Sequence, residues 1–271
     1  MNFIPQFLGQ ILFFIYDKLA FHNYGVAIIL FTIFIKLALL PLTIKQYKST
    51  AKMQELQPLM QEIQRKYKND KEKQTQEMMK MYQEHKYNPA SGCLPILVQM
   101  PILFSLIYVI GKPLTYMLGK TAEEIKTLID KVPAPDRIKG FYEQIPAAPQ
   151  AGIDLEFLGL NLGLVPKFNP SDLFGPEMAQ YLPLLIIPIL AVITTYLSTK
   201  MATPRLKNNK NNANDMSAAM QKNMMLMAPV MTLFVSFQFP AGLGLYWLTG
   251  NVFQIVQQFF INKFIMKKKE A

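Results

Sequence analysis

The chain has 271 residues, of which 51% are hydrophobic and 17% are charged, and its mean hydropathy is +0.16. Soluble proteins usually carry about 25% charged residues, and here the apolar residues cluster in long runs without a charge. Cys93 is the only cysteine, which excludes a scaffold of internal disulfides. The net charge of +10 does not indicate recognition of a specific nucleic-acid sequence, because the clustering predicts an all-α, polytopic membrane protein.

The first segment is mostly apolar but not uniformly so. Gln6, Gln10 and Asp17 are spaced by four and seven residues, which places them on one face of a helix. We therefore predict an amphipathic helix over residues 1–23 that lies in the interface on the outer face of the membrane. A cleaved signal peptide is the alternative, although a basic n-region and a small-residue cleavage site are missing.

Five later segments are long and apolar enough to be read as membrane spans, since a spanning helix needs about 20 mostly apolar residues. The pair Pro240-Ala241 alone separates the last two, which predicts a tight helical hairpin. The predicted spans are 24–44, 94–118, 181–200, 223–239 and 242–265.

The distribution of Lys and Arg predicts the orientation. Residues 45–92 hold ten basic and six acidic residues, and residues 201–222 hold four basic and one acidic. The loop 119–180 holds six basic against nine acidic residues. We therefore expect 45–92, 201–222 and the basic tail 266–271 in the cytoplasm and 119–180 outside. The N-terminus would then be outside and the C-terminus cytoplasmic.

Residues 45–92 are predicted to form a cytoplasmic helical hairpin that Asn69-Asp70 divides and in which Pro58 kinks or restarts the first helix. Apolar residues recur at helical spacing in both halves. A structural linker is one interpretation of this stripe, and a Met-lined docking element is the other. The stripe residues are Met53, Leu56, Met60, Ile63 and Tyr67 in the first helix and Met78, Met81 and Tyr82 in the second.

Lys36 is the most informative single residue. It lies twelve residues after Tyr24 and nine before Lys45, about 18 and 13 Å along a helix, so its amine does not reach either surface easily. A lysine in the bilayer centre costs about 2.5–3.5 kcal/mol, and the five predicted spans contain no Asp or Glu to pair with it. We therefore expect water around Lys36, in a cavity or groove.

Other spans carry polar residues at helical spacing. Hydrogen bonding between helices in a dry bundle would explain each of them alone. Together with an unpaired lysine they favour a polar groove with one positive charge. The predicted groove residues are Lys36, Thr32, Thr43, Gln99, Thr195, Ser198, Trp247, Asn251, Gln254 and Gln258, and Asn262 continues the last stripe.

Motifs of enzymes are missing from the sequence. It contains only His22 and His85 as histidines, and no metalloprotease, nucleophile-elbow or P-loop motif occurs. Acidic residues for proton or cation coupling are absent from the spans. We therefore expect no enzyme activity, no cofactor and no metal site.

Several motifs resemble those of the YidC membrane protein insertase family, and together they cover residues 20–265. The first group is Pro41-Leu42-Thr43-Ile44-Lys45-Gln46, Leu56-Gln57-Pro58, Lys66-Tyr67, Asn88-Pro89, Gly92-Cys93-Leu94-Pro95 and Gln99-Met100-Pro101-Ile102. The second is Phe239-Pro240-Ala241-Gly242-Leu243-Gly244-Leu245-Tyr246-Trp247, then Asn251 and Gln257-Gln258. The short N-terminus resembles that of the Gram-positive-type members, and the resemblance implies a multi-pass protein of the bacterial plasma membrane.

The resemblance implies an insertase for small membrane proteins that works alone or with the Sec translocon and hydrolyses no nucleotide. It implies a groove open to the cytoplasm and lipid, and nascent membrane proteins, the ribosome, signal recognition machinery and membrane lipid as partners. Lys36 replaces the arginine usual in the family, and Ser198 replaces a frequent glutamine. From the residues alone, a small anion-binding transporter or channel, or a passive assembly chaperone for membrane complexes, are the alternatives.

Overall fold

The computed structural model describes residues 3–88, 94–134, 137–202, 216–261 and 263. These residues are mostly helical, with one short β-hairpin (β1, Glu156–Phe157, and β2, Leu160–Asn161) among them, so the chain is of the predicted all-α class. The helices are α1 (Phe3–Lys18), α2 (Tyr24–Ala38), α3 (Leu40–Lys66), α4 (Lys71–Glu84), α5 (Leu94–Gly111), α6 (Pro113–Tyr116), α7 (Ala122–Asp130), α8 (Pro170–Phe174), α9 (Met178–Leu184), α10 (Ile186–Ala202), α11 (Met216–Ser236) and α12 (Ala241–Ile261).

The first predicted span, 24–44, is not one straight helix. Asn23 caps the start of α2, where its side chain accepts a hydrogen bond from the Val26 amide. The helix then breaks at Leu39, and α3 continues at an angle of 60°. Pro41 lies in the first turn of α3, and its missing N–H could not have continued the hydrogen bonds of α2. The break therefore falls inside the predicted span.

The predicted helical hairpin is formed by α3 and α4. Pro58 lies inside α3, which continues past it to Lys66 without a restart. Asp70 caps α4 by accepting a hydrogen bond from the Lys73 amide. The contacts between the helices pair residue 64 with 74 and residue 60 with 82, which is the order expected of antiparallel neighbours. Residues 89–93 lie outside the described part.

Helix α1 contributes side chains to the core as well as to the surface. It packs against α2, α5 and α6, and Leu8, Leu12 and Tyr16 are buried in the core. Its exposed side carries Gln6 and Gln10 but also several phenylalanines. Its depth in the interface stays a prediction.

The remaining helices form a bundle around α12. This helix packs against α2, α5, α10 and α11, and α10 packs in turn against α11. The shared core combines residues of α1, α2, α5, α9, α10 and α12. The bundle therefore surrounds the polar face of α12 with helices on several sides.

The loop predicted for 119–180 is a folded cap that packs on one end of the bundle. The Tyr16 hydroxyl donates to the Gly152 carbonyl at 3.1 Å and accepts from the Asp154 amide at 3.0 Å. The first amides of α12, at Ala241 and Gly242, donate to carbonyls at positions 164 and 162, both at 2.8 Å. The last two bonds satisfy amides at the start of α12 that have no partner within the helix. All four bonds hold the cap against α1 and α12.

By length and apolar composition, one stretch among the described residues could cross a membrane, Met178–Ala202, which joins α9 and α10. A second results if α2 and Leu40–Met53 are taken together as one bent span. Val98–Gly111 and Met225–Ser236 are apolar but shorter. The number of five spans therefore stays a prediction.

Candidate functional site

A cavity of about 300 Å³, lined by both polar and apolar side chains, lies between α2, α3, α5 and α12. It contains six of the ten predicted groove residues together with further polar and apolar side chains. The predicted ones are Lys36, Thr43, Gln99, Trp247, Asn251 and Gln254, and the others are Leu39, Leu42, Gln46, Tyr47, Val98, Met100, Leu103, Tyr246, Gly250 and Gln257.

The bend at Leu39 gives the cavity its shape. Lys36 lies in the last turn of α2, whereas Thr43 lies in the first turns of α3, and both line the same space. The Thr43 hydroxyl donates to the Leu39 carbonyl at 2.9 Å, so it is tied to the break itself. A straight helix would have continued past the cavity, whereas here the end of α2 and the start of α3 both line it.

Lys36 is half-buried and lies against α12. A Cβ placed on Gly250 would be 3.4 Å from the Lys36 Cε and 3.8 Å from its Nζ, so the glycine leaves room for the lysine side chain. Across the described ranges, no acidic group lies within ion-pair distance of Lys36. Its charge therefore faces the cavity without a carboxylate from this part of the chain.

Another part of the cavity wall is formed by α5 and α12. The Gln99 amide donates to the Tyr246 hydroxyl at 3.0 Å, which joins the two helices. Gln257 also lines the cavity, is mostly buried, and has an amide nitrogen without a hydrogen-bond partner in the described part of the molecule. The cavity is thus lined by an ammonium group, and a buried amide donor without a partner among the described residues lies in its wall.

Four predicted groove residues lie outside this cavity. The Thr32 hydroxyl donates to the Ile28 carbonyl within α2 at 2.6 Å. Thr195 and Ser198 are buried in α10, where Thr195 accepts a hydrogen bond from the Asn251 amide at 2.8 Å. Gln258 is buried and donates to the Met201 carbonyl. The bonds of Thr195 and Gln258 join α10 to α12, which is the alternative interpretation of the polar stripes, whereas the Thr32 bond lies within one helix. Asn262 lies outside the described residues.

The sequence reasoning missed four polar residues of the cavity: Gln46, Tyr47, Tyr246 and Gln257. The first two follow the predicted end of the first span, so they were assigned to the hairpin. The signal that could have found them is Pro41, which indicates a new helix whose first turns still face Lys36. Gln257 is one residue from the predicted Gln258, and the structure places the former in the cavity.

In the hairpin of α3 and α4, the predicted stripe lies at the interface of the two helices. Leu56 and Met81 are buried, and the Tyr82 hydroxyl lies 3.9 Å from the Met60 sulfur. The other stripe residues, Met53, Ile63, Tyr67 and Met78, are half-buried. The stripe therefore supplies contacts within the hairpin, while Leu59 and Met79 are the large apolar side chains exposed on it.

The sequence was compared with known protein families. Residues 14–269 match the family model described as 60Kd inner membrane protein. A relative from Clostridium perfringens, named membrane protein insertase YidC, is 38% identical over 249 residues, which cover 91% of this chain and 82% of the relative. The chain belongs to the YidC family of membrane protein insertases.

Two further members of the YidC family show how the chain compares in length. The Fusobacterium nucleatum insertase is 34% identical over 265 residues, 97% of this chain and 98% of the relative. The Geobacter metallireducens insertase is 33% identical over 244 residues, which cover 90% of this chain but 34% of the relative. The chain thus matches nearly the whole of one relative and about a third of another.

Proposed function

We propose that this chain is a membrane protein insertase that admits polar segments of small membrane proteins into the cavity at Lys36 and releases their apolar spans to lipid. The observation that carries the proposal is the position of Lys36, which is half-buried against Gly250 and lines the cavity with no carboxylate of the described residues in ion-pair distance. Membership in the YidC family supports the insertase activity, and the cavity is its proposed site.

The proposal includes a topology of five spans with the N-terminus outside and the C-terminus in the cytoplasm. Its support is the asymmetry of basic residues between the two sets of loops. The cap formed from 119–180 is then outside, and the α3–α4 hairpin is inside. The spans are 24–44, 94–118, 181–200, 223–239 and 242–265, and the cytoplasmic segments are 45–92, 201–222 and 266–271.

The cavity lowers the cost of moving a hydrophilic segment part of the way through the bilayer. An unsatisfied backbone group in hydrocarbon costs several kcal/mol, whereas the cavity offers polar side chains and space for water. The Lys36 ammonium attracts carboxylates, so substrates with acidic outer segments gain most. Lysine carries its charge on a single ammonium group and lacks the planar guanidinium of arginine. It therefore attracts a carboxylate without binding it through two parallel hydrogen bonds.

Release toward lipid is supported by the apolar wall of the cavity. Met100 lines the cavity and is also exposed on the surface of α5, and Phe104 is exposed one turn further along. A substrate span that leaves along this side moves from a polar space to hydrocarbon. Burial of its apolar surface supplies about 25 cal/mol per Å², so the transfer requires no nucleotide.

The ribosome, the Sec translocon and the signal recognition machinery are proposed partners at the cytoplasmic side. The hairpin and the basic segments there provide the surface for them. The basic residues of this surface that lie outside the described residues are Arg205, Lys207, Lys210, Lys267, Lys268 and Lys269.

The test is insertion of a two-span substrate into liposomes that contain the purified protein. Two versions of the substrate are needed, one with acidic and one with neutral residues in the translocated segment. We expect Lys36→Arg to insert both, and Lys36→Ala to lose activity mainly on the acidic version. Equal insertion by the alanine variant would refute a role for the charge. Equal insertion into liposomes without protein would refute the insertase, and a solute flux instead of insertion would indicate a transporter.

A further inference from the structure

Phe21 and Leu158 are the most exposed large apolar side chains in the described ranges, at 93% and 85% of their full accessibility. Both residues also have positive backbone φ angles, 53° for Phe21 and 52° for Leu158. Side chains with a Cβ disfavour this region, and bulky ones are outliers there. Both residues therefore combine an exposed apolar side chain with a strained backbone conformation.

Both residues lie at the tips of tight turns. Leu158 and Gly159, with φ angles of 52° and 75°, connect β1 to β2. Two-residue hairpin turns of this kind favour Asn, Asp or Gly, so a leucine is unexpected on local grounds. Phe21 and His22, with φ angles of 53° and 60°, form the turn between α1 and α2. Strained residues of this type point to a role outside the local fold.

Hydrogen bonds hold both turns in place. The His22 amide donates to the Tyr16 carbonyl at 3.1 Å, and the Asn23 amide donates to the Ala20 carbonyl at 2.9 Å. In the hairpin, the Glu156 amide donates to the Asp154 carboxylate at 2.9 Å. The apolar tips are therefore presented by anchored turns.

The two tips belong to the same end of the molecule. The Phe157 side chain packs on Gly25, where a Cβ would lie 2.1 Å from the ring, so the hairpin contacts the first turn of α2. Phe21 precedes this turn by only a few residues. The exposed phenylalanines of α1, Phe7 and Phe14, continue the apolar surface away from the tip.

We propose that Phe21 and Leu158 anchor the cap in the outer leaflet, where their side chains insert at the boundary between headgroups and acyl chains. Polar residues flank both tips, with Lys18 and His22 near Phe21 and Glu156 near Leu158. An apolar tip within a polar rim is the arrangement that suits this boundary. The site of insertion rests on the proposed orientation, but not on the role of the Lys36 cavity.

Lipid is favoured over a protein partner by the surface that continues from Phe21. A groove of about 590 Å³ between α1 and α2 is lined by Phe7, Phe14, Phe34 and other apolar residues, with Gln10 as its one polar residue. A protein interface normally includes direct hydrogen bonds, whereas acyl chains require none. The tips thus extend an apolar surface suited to lipid.

The experiment measures the depth of fluorescent labels in the full chain, reconstituted alone into phospholipid bilayers. Cys93→Ser removes the only cysteine, and Phe21→Cys, Leu158→Cys or Glu156→Cys then accepts the label. We expect lipids with a nitroxide near the headgroup to quench labels at 21 and 158, and iodide to quench the label at 156. Since Glu156 lies on the same hairpin two residues from Leu158, it controls for the position of the cap.

Labels at 21 and 158 that iodide quenches and nitroxide lipids do not would overturn the proposal. Because these bilayers contain no other protein, tips that stay exposed to water would favour a protein partner for them instead of lipid. If the labelled variants do not reconstitute, a photoreactive phospholipid is applied to the unaltered chain. Crosslinks at residues 20–22 and 157–159 support the anchor, and their absence overturns it. Insertion activity, measured in the same bilayers, reports separately on the proposed function.

Discussion

The Lys36 side chain packs against Gly250: a Cβ on Gly250 would be 3.4 Å from the Lys36 Cε. The two residues belong to α2 and α12, which pack against each other. A side chain larger than alanine at position 250 would therefore compete for space with Lys36, the one cationic side chain among the described residues that line the cavity. The packing of α2 against α12 thus affects the position of the charge on which the proposed insertion of acidic segments depends.

The first prediction concerns the size of residue 250. Gly250→Ala should be tolerated, because 3.4 Å to the end of a flexible side chain is an ordinary contact. Gly250→Leu should displace Lys36 and destabilise the protein by about 1–3 kcal/mol through overpacking. Insertion of an acidic substrate should fall in the leucine variant and not in the alanine variant. Both effects are measured in detergent unfolding and liposome insertion assays.

A double variant separates packing from charge. Adding Lys36→Ala to Gly250→Leu should recover stability, because the shorter residue leaves room for leucine, but it should not recover insertion of the acidic substrate. Recovery of both properties would show that the glycine serves packing alone.

The second prediction concerns the hydrogen bond between the Asn251 amide and the Thr195 hydroxyl, which is 2.8 Å long and joins α12 to α10. In a double-mutant cycle with Asn251→Leu and Thr195→Val, we expect a coupling of about 0.6–1.7 kcal/mol, as for other hydrogen bonds between membrane helices. The measurement is unfolding in mixed micelles. Thr194→Val provides the comparison, because its hydroxyl accepts a longer hydrogen bond from the same Asn251 amide, at 3.3 Å. An equal coupling at both positions would contradict this assignment.

The sequence predicted which segments are helical and that Lys36 faces a polar space, because both depend on local periodicity and on the cost of a charge in lipid. It did not predict the bend at Leu39, since the apolar pattern continues through the break and only Pro41 indicates it. Helical spacing also places Thr195 and Asn251 on polar faces without revealing that they bond to each other.

The cap could not be predicted for a different reason. Its contacts join residues that are far apart in the chain, such as Tyr16 and Gly152, whose hydroxyl and carbonyl lie 3.1 Å apart. No local pattern encodes such a pair, because either residue alone is compatible with an exposed loop. The exposed tips Phe21 and Leu158 were missed likewise, since their positive φ angles are a property of the folded turns.

The third prediction uses two methionines of α4. Met81 is buried against α3, with 5% of its surface exposed, whereas Met79 is 52% exposed. Met81→Ala should destabilise the hairpin by about 2–5 kcal/mol, and Met79→Ala should change its stability by less than about 0.5 kcal/mol. Hydrogen exchange of α3 and α4 measures the difference. A docking role for the exposed side would appear as lost ribosome binding in the Met79 variant with unchanged exchange.

The fourth prediction concerns pH and helix α7. Thr121 and Glu124 form a capping box in which the Thr121 amide donates to the Glu124 carboxylate at 2.8 Å. Hydrogen bonds from the Thr121 amide and hydroxyl, with the charge of Lys120, lower the pKa of Glu124 below its ordinary value of 4.5. The carboxylate form therefore stabilises the folded cap above pH 4.5, and this contribution is lost as the pH falls through the lowered pKa.

We therefore expect the first turn of α7 to lose protection in hydrogen exchange below pH 4.5, after correction for the intrinsic exchange rate. Glu124→Gln should remove this pH dependence, because its side chain does not titrate. Glu123→Gln, which changes the neighbouring carboxylate of the same turn, should keep the pH dependence of the unaltered chain. If the unaltered chain and the Glu124 variant respond equally to acid, a different group controls α7, since the capping carboxylate would then have no measurable effect.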